Sequence, residues 1–237
     1  MARSLVTIAA ALLVSVAVTP AHSQARSTAF ERFVFSFFED SDSAREGLDT
    51  EALGRLVGEE RRRAGDMLIN ALPDSRAIIG LGVLRSQRAE PNLLRLFEAE
   101  RLAQRNSKLL PDLGWSPYKL LHLVKALSRI RPDPRWPAAA VDVLGSSNDR
   151  NERQEAAEAL YEARDPATVR ALTTALDDPE PLVRYHAARG LLAIHGLFAE
   201  STDPQHMLYR LMADEPSRRE HGKLDVLDAL ALGPLSR

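Results

Sequence analysis

The sequence predicts an all-α protein, an α-solenoid in which pairs of helices stack along one axis. The first observation is a repeat at a spacing of 31 residues, because the segment Arg153–Leu160 recurs as Arg184–Leu191 with its Arg, its Ala pair and its Leu in register. The second is composition: Ala, Leu, Arg and Glu dominate, and no Asn-Gly or Asp-Gly turn occurs. The third is that most prolines fall between periodic runs, where they can begin helices.

Apolar side chains recurring at three and four residues define the helices of the N-terminal half. These predicted helices span residues 27–38, 49–72, 73–84 and 91–104, and residues 108–117 form a loop. The first carries Phe30, Phe33, Val34, Phe37 and Phe38 on its inner face. Either Gly58 or Gly65 can interrupt the second, since glycine weakens a helix interior.

The C-terminal half repeats more clearly, and Pro or Asp precedes most of its helices. These predicted helices span residues 117–131, 137–144, 150–164, 166–176, 181–195, 204–213 and 217–232. The sequence therefore predicts about four helix pairs in a single domain, residues 26–237. In that domain residues 26–48 form an N-terminal cap, residues 150–214 form the clearest repeats, and residues 215–237 hold the C-terminal helix.

The first 25 residues have the three-part pattern of a secretory signal peptide. A short positive segment precedes the uncharged apolar run 5–18, and small residues follow up to Ala25. The run is shorter than the roughly 20 residues that span a bilayer. We expect cleavage after Ala25 or after Ser23; the alternatives are an uncleaved anchor and a buried first helix.

Charge and cysteine content exclude several classes of partner and chemistry. The chain has 31 basic and 33 acidic residues, and loss of Arg3 with the leader changes the net charge from −2 to 30 − 33 = −3. So small a charge provides no general field for nucleic acid or an anionic membrane. The absence of Cys excludes a thiol nucleophile and thiolate metal ligands. We expect an exported protein, periplasmic if the host has two membranes, without membrane insertion after cleavage.

The segment from Arg153 to Ile194 resembles HEAT repeats of the short type named for phycobilisome lyases. It carries the Arg-x-x-Ala-Ala-x-Ala-Leu helix at Arg153, then Asp-Pro at Asp165 and Asp178, then Val-Arg at Arg184. The resemblance implies a right-handed solenoid. It also implies a structural ladder, in which an Asp in the turn and an Arg six residues later bridge neighbouring repeats. Asp178 and Arg184 have that spacing, whereas Ser147 precedes Arg153 and leaves the earlier rung without its Asp.

Motifs for catalysis or metal binding are absent from the sequence. It has no His-Glu-x-x-His, no Walker loop and no Gly-x-Ser-x-Gly, and no adjacent His-Glu. His186 and His195 share a predicted helix but lie about 180° apart around it. We therefore expect no metal site, no cofactor and no enzyme activity. The resemblance leaves one alternative open, an enzyme or enzyme accessory that acts on a prosthetic group.

Two sets of residues are candidates for binding another protein. In HEAT-like stacks the second helix of each pair lines the concave side, and Arg95 and Arg170 occupy equivalent places on such helices. Arg210 lies one place out of register and can extend this row, which suits carboxylates through bidentate contacts. Trp115 and Trp136 flank one helix in aromatic turns, as interface residues often do.

Each set also has a purely structural interpretation: solvated arginines, and tryptophans that fill gaps between imperfect repeats. The sequence thus predicts a non-catalytic exported scaffold that binds another protein. A second alternative is a structural subunit of an envelope assembly.

Overall fold

The computed structural model describes residues 26–38, 47–109, 115–197 and 206–232, and these ranges contain helices and turns but no strand. The leader at residues 1–25 lies outside them. The helices are α1 (Thr28–Phe38), α2 (Thr50–Arg55), α3 (Gly58–Asn70), α4 (Ser75–Val83), α5 (Glu90–Leu109), α6 (Tyr118–Ile130), α7 (Arg135–Ser146), α8 (Arg150–Ala159), α9 (Pro166–Ala175), α10 (Pro181–Ile194), α11 (Met207–Leu211) and α12 (Pro216–Leu232). A short 3₁₀ turn, Gln87–Ala89, precedes α5.

The helices pack in two layers. In one layer α4, α6, α8 and α10 contact one another in that order, and in the other α7 contacts α9. Each second helix also contacts the first helix of the next pair, as α7 contacts α8 and α9 contacts α10. This is the predicted all-α solenoid of about four pairs, α4/α5 to α10/α11. Helices α1–α3 precede them in the described part of the chain, and α12 follows.

Small residues allow the helices of the first layer to approach closely. The repeated Ala pairs, Ala156-Ala157 and Ala187-Ala188, are 0 % exposed. A Cβ atom added at Gly82 of α4 would lie 2.8 Å from the Ala126 Cα of α6, closer than real Cβ contacts. The repeated Ala pairs therefore belong to the packing between helices, where small buried side chains let the backbones approach closely.

The last helix packs on the last pair through a similarly close contact. Helix α12 lies against α11, and a Cβ atom added at Gly222 would meet the Leu211 backbone nitrogen at 2.7 Å. Val226 of α12 and Leu211 of α11 are both fully buried. Helix α12 therefore covers the outer side of α11 and closes the apolar layer there.

Helix boundaries differ from the sequence prediction where local signals were ambiguous. The predicted helix 49–72 is two helices that divide at Gly58, one of the two glycines expected to be able to interrupt it. Leu56 and Val57 are extended there, and Gly58 has a φ of +52°. Helix α7 begins before Pro137 and contains Gly145, whereas α8 ends at Ala159 rather than at Arg164. Helix α5 continues to Leu109, into the predicted loop. Residues 198–205 lie outside the described part, and so does the predicted start of α11 at Pro204.

On the first helix, one residue of the predicted inner face lies at the surface. The side chains of Phe30, Phe33 and Phe37 are buried as expected, but Phe38 is 56 % exposed. Phe38 directly follows Phe37, and adjacent helical residues point about 100° apart, so both cannot face the same core.

Candidate functional site

The ladder residues join neighbouring repeats through charged side chains. The Arg153 guanidinium donates to both carboxylate oxygens of Asp178, Nε to Oδ2 at 2.8 Å and Nη2 to Oδ1 at 3.0 Å. It also donates to the carbonyl of Ser147, at 3.2 Å. Arg153 lies in α8 and Asp178 lies in the turn before α10, so this pair connects two repeats.

Arg184 occupies the equivalent position one repeat later and is almost completely buried. Its guanidinium donates to the carbonyls of Leu211, Asp178 and Pro179 at 2.7, 2.8 and 2.9 Å. Burial lowers the pKa of Arg184 from its ordinary value, but an arginine with so high a reference pKa stays protonated. The ladder therefore stabilises the stack and has no surface to offer a ligand at Arg184.

The structure separates Arg210 from Arg95 and Arg170, the other two residues of the predicted basic row. Arg95 of α5 and Arg170 of α9 are exposed, and no carboxylate of the described residues forms an ion pair with either. Arg210 of α11 instead forms an ion pair with Asp225 of α12 and is only partly exposed. Arg210 is therefore part of the α11–α12 contact, which leaves Arg95 and Arg170 as the accessible members.

The two accessible arginines lie on helices separated by α7. Packed helices are roughly 8–10 Å apart, so the α5–α9 separation is about 20 Å. A single carboxylate cannot reach both guanidinium groups over that distance. Exposed Ala138 lies on the intervening helix. The two guanidinium groups are therefore separate contact points on this face rather than one anion site.

The two tryptophans have different environments. Trp136 is 0 % exposed, its ring packs edge-on against Phe97 at 4.9 Å between centroids, and its Nε1 donates to the Arg131 carbonyl. This corrects the interpretation of Trp136 as a binding residue, because a buried ring has no surface for a partner. Trp115 is half-buried and donates to Glu100 Oε2 at 3.1 Å, so part of its ring remains accessible.

A polar network that the sequence analysis did not predict connects α6 with α8, the first helices of two neighbouring pairs. Lys125 of α6 lies 2.9 Å from Glu155 Oε1 and 2.7 Å from Glu158 Oε1 of α8, and Arg129 Nε lies 2.9 Å from Glu162 Oε1. These partners are 30 to 33 residues apart, close to the repeat length. The sequence did contain a signal for this network: basic side chains on one helix are followed, about one repeat later, by acidic side chains at equivalent positions.

The network continues from α8 to α10. Tyr161, just after α8, hydrogen-bonds His186 Nδ1, and the guanidinium of Arg189 lies 5.7 Å from the Tyr161 ring centroid. On the other side His122 Nε2 lies 3.8 Å from Glu155 Oε1, while His122 Nδ1 is buried and has no hydrogen-bond partner among the described residues.

The ionisation of this network favours a structural role. Burial raises the pKa of Tyr161 far above its ordinary value, so its hydroxyl stays neutral. Burial acts to lower the pKa of Lys125, but Glu155 and Glu158 outweigh it and the pKa is raised, so the amine stays protonated. A protonated amine and a neutral phenol are poor nucleophiles.

The described residues hold no group of three or more His, Cys, Asp or Glu side chains placed to bind a metal ion. Among the same residues, no helix combines the length and apolarity needed to cross a bilayer.

Comparison with known families identifies part of the chain. The family model for HEAT repeats matches residues 137–222, which run from α7 into α12. No curated protein matches the chain. The matched segment contains Arg153, Asp178 and Arg184, together with the buried Ala pairs. Residues 137–222 are thus similar to HEAT repeats, and the fold is an all-α HEAT-like solenoid.

Proposed function

We propose that this protein is a non-catalytic interaction scaffold that binds another protein along its second helices. HEAT repeats typically mediate protein binding, and residues 137–222 match that family. The observation that carries the proposal is the exposure of Arg95 and Arg170 at equivalent positions two repeats apart, without a carboxylate partner among the described residues. The partner presents acidic side chains at a matching separation.

The test reverses both charges in one variant, Arg95→Glu with Arg170→Glu. Parent and variant are immobilised and used to capture protein from the envelope fraction of the native host. We expect the double variant to lose the captured partner while its melting temperature stays nearly unchanged, because exposed helix positions contribute little to stability.

A matched control carries the same change in net charge elsewhere, at exposed Arg55 of α2 and exposed Arg164 after α8. The control should capture the partner as the parent does. If the Arg95 and Arg170 variant still captures it, the second-helix face is not the interface, and the half-buried Trp115 becomes the next residue to test.

We further propose that the protein is exported and that its repeats are of the short phycobilisome-lyase-like type. The leader pattern at residues 1–25 supports export. The spacing of Arg153, Asp178 and Arg184 supports the repeat type. The alternative from the same repeat type is an enzyme or enzyme accessory that acts on a prosthetic group.

A further inference from the structure

A pocket of about 360 Å³ lies between α3 and the turn that joins α4 to α5. Four arginines line it: Arg61 and Arg62 belong to α3, and Arg85 and Arg88 belong to the turn. Such a concentration of guanidinium groups is notable in a chain whose net charge is −2. The proposed partner-binding face involves none of these residues.

Two of the four cations are neutralised by nearby carboxylates. Arg88 Nη1 lies 2.9 Å from Asp66 Oδ1, and Asp66 also lines the pocket. Arg62 Nε donates to Glu59 Oε2 at 3.0 Å, one turn earlier on α3. These pairs are exposed, so they are screened by solvent and can exchange for a stronger anionic ligand.

The other two cations have no such compensation. Arg61 donates to the backbone carbonyl of Leu84 at 2.6 Å, which fixes its guanidinium beside the pocket without neutralising its charge. Arg85 is exposed, and no carboxylate of the described residues forms an ion pair with it. Four guanidinium groups minus two carboxylates leave two positive charges at the pocket.

The backbone at Arg85 gives a separate indication. Arg85 has a φ of +48° and directly follows Leu84, the C-cap of α4. Glycine is the usual residue in this left-handed position after a helix, because a side chain is unfavourable there. The chain thus keeps a guanidinium at the pocket in spite of local strain, as residues at binding sites often do.

Apolar atoms complete the lining, from Gly65, Ile69 and Leu84. We infer that this pocket binds a phosphate monoester, with the phosphate between Arg61 and Arg85 and the organic group against the apolar lining. A monoester carries nearly two negative charges at neutral pH, which matches the two uncompensated cations. Planar guanidinium forks also match phosphate oxygens in geometry.

Phenyl phosphate is a suitable probe, because it joins this dianion to an apolar ring, and benzoate is its singly charged counterpart. Calorimetric titration is done in phosphate-free buffer at low ionic strength. We expect the parent to bind phenyl phosphate and to bind benzoate at least about tenfold more weakly. No measurable binding of phenyl phosphate, or equal binding of the two probes, would overturn the assignment.

The variant Arg85→Gly tests whether Arg85 contributes to binding without destabilising the fold. Glycine relieves the backbone strain, so the variant should melt at the same temperature as the parent or higher. Loss of a charge-assisted contact should weaken its binding of phenyl phosphate about tenfold. The control, Arg105→Ala, removes an exposed arginine of α5 outside the pocket lining and should bind as the parent does. Unchanged affinity in Arg85→Gly, or equal weakening in both variants, would overturn the site.

A pentapeptide with a central phosphotyrosine distinguishes two sources of the same chemical group. Tighter binding of the peptide than of phenyl phosphate would identify a phosphorylated protein segment as the source. Binding no tighter would identify a small molecule. Both results support a phosphate monoester site, provided that Arg85→Gly weakens the binding.

Discussion

Arg153 and Arg184 show how one repeated residue can make different contacts. Both are the Arg of the repeated Arg-x-x-Ala-Ala motif, and both donate to carbonyls of the preceding turn. Arg153 then reaches a carboxylate, Asp178, whereas Arg184 reaches a backbone carbonyl at the end of α11. The residue type was evident from the sequence, but the partner was not, because it depends on which turn the next repeat places opposite the guanidinium.

We expect Arg153→Met to lower the free energy of unfolding by about 2 kcal/mol, since hydrogen bonds to a charged group contribute roughly 1.5–3 kcal/mol. The pair with Asp178 is shielded, with side chains 15 % and 10 % exposed. Methionine keeps the apolar stem of arginine and removes the guanidinium. Urea unfolding monitored by circular dichroism measures the change.

The control is Arg55→Met, because Arg55 pairs with Glu51 and both side chains are more than 60 % exposed. Exposed pairs contribute less than about 1 kcal/mol. Equal losses in the two variants would mean that the Arg153 rung contributes no more than a surface ion pair.

At the scale of helices, α6, α8 and α10 carry basic, acidic and basic side chains at the same phase. Lys125 of α6 and Arg189 of α10 both act on Glu158 of α8. Burial would raise the pKa of Glu158, but the hydrogen bond from Lys125 and these charges outweigh it and lower the pKa. Glu158 therefore stays ionised in mild acid, and the histidines of the network are the groups that titrate there.

We expect the melting temperature to fall as the solution is acidified from about pH 7.5 to about pH 5.5. Burial lowers the pKa of both His122 and His186 below the reference value of 6.5. The unfolded chain then binds protons at a higher pH than the folded chain does, so stability declines as pH falls through 6.5 and stops declining below the folded pKa.

Calorimetric melts across this range measure the effect. A double variant with His122→Asn and His186→Asn should show a shallower decline than the parent, whereas His221→Asn, at an exposed position of α12, should not. An identical slope in the double variant would exclude these histidines as its cause.

Adding one methyl group should change the free energy of unfolding in opposite directions at two helical glycines, Gly82 and Gly145. Gly82→Ala should lower the free energy of unfolding by about 1–3 kcal/mol, because the new Cβ would overlap the backbone of α6. Gly145→Ala should raise it by roughly 0.4–1 kcal/mol, because that Cβ meets nothing within 4 Å and alanine restricts the unfolded chain. Denaturant titration of both variants checks the sign, and a stabilised Gly82→Ala would contradict the close α4–α6 packing.

At the scale of the whole molecule, the fold was largely predictable because it repeats. The Ala pairs occur at one spacing and are buried in both repeats, so the pattern indicated both helix type and stacking. The break after α2 lies at Gly58, one of the two glycines that the sequence offered as an interruption, but the sequence alone did not distinguish it from Gly65, which lies inside α3. The burial of Trp136 and the Lys125 network were not predictable from periodicity, since both depend on contacts between helices of different pairs.

We expect the exported protein to lack the leader. Intact-mass measurement on protein purified from its native host should show loss of the first 23 or 25 residues, because Ser23 and Ala25 end the two acceptable cleavage patterns. Substitution of Leu12 by Arg would interrupt the apolar run and should leave the full-length chain in the cytosol. Full-length protein in the exported fraction of the parent would contradict cleavage.

The contact between α11 and α12 restricts how copies of this protein can associate. A stack of helix pairs presents an end face, and joining such faces head to tail would build an open filament. Here α12 occupies that face at the α11 end, and the backbones are so close at Gly222 that a methyl group does not fit. A second copy cannot add there without removing α12. Stacking of a second copy directly on α11 is therefore blocked, and a copy that adds at this end has to contact the exposed side of α12, which carries Leu224.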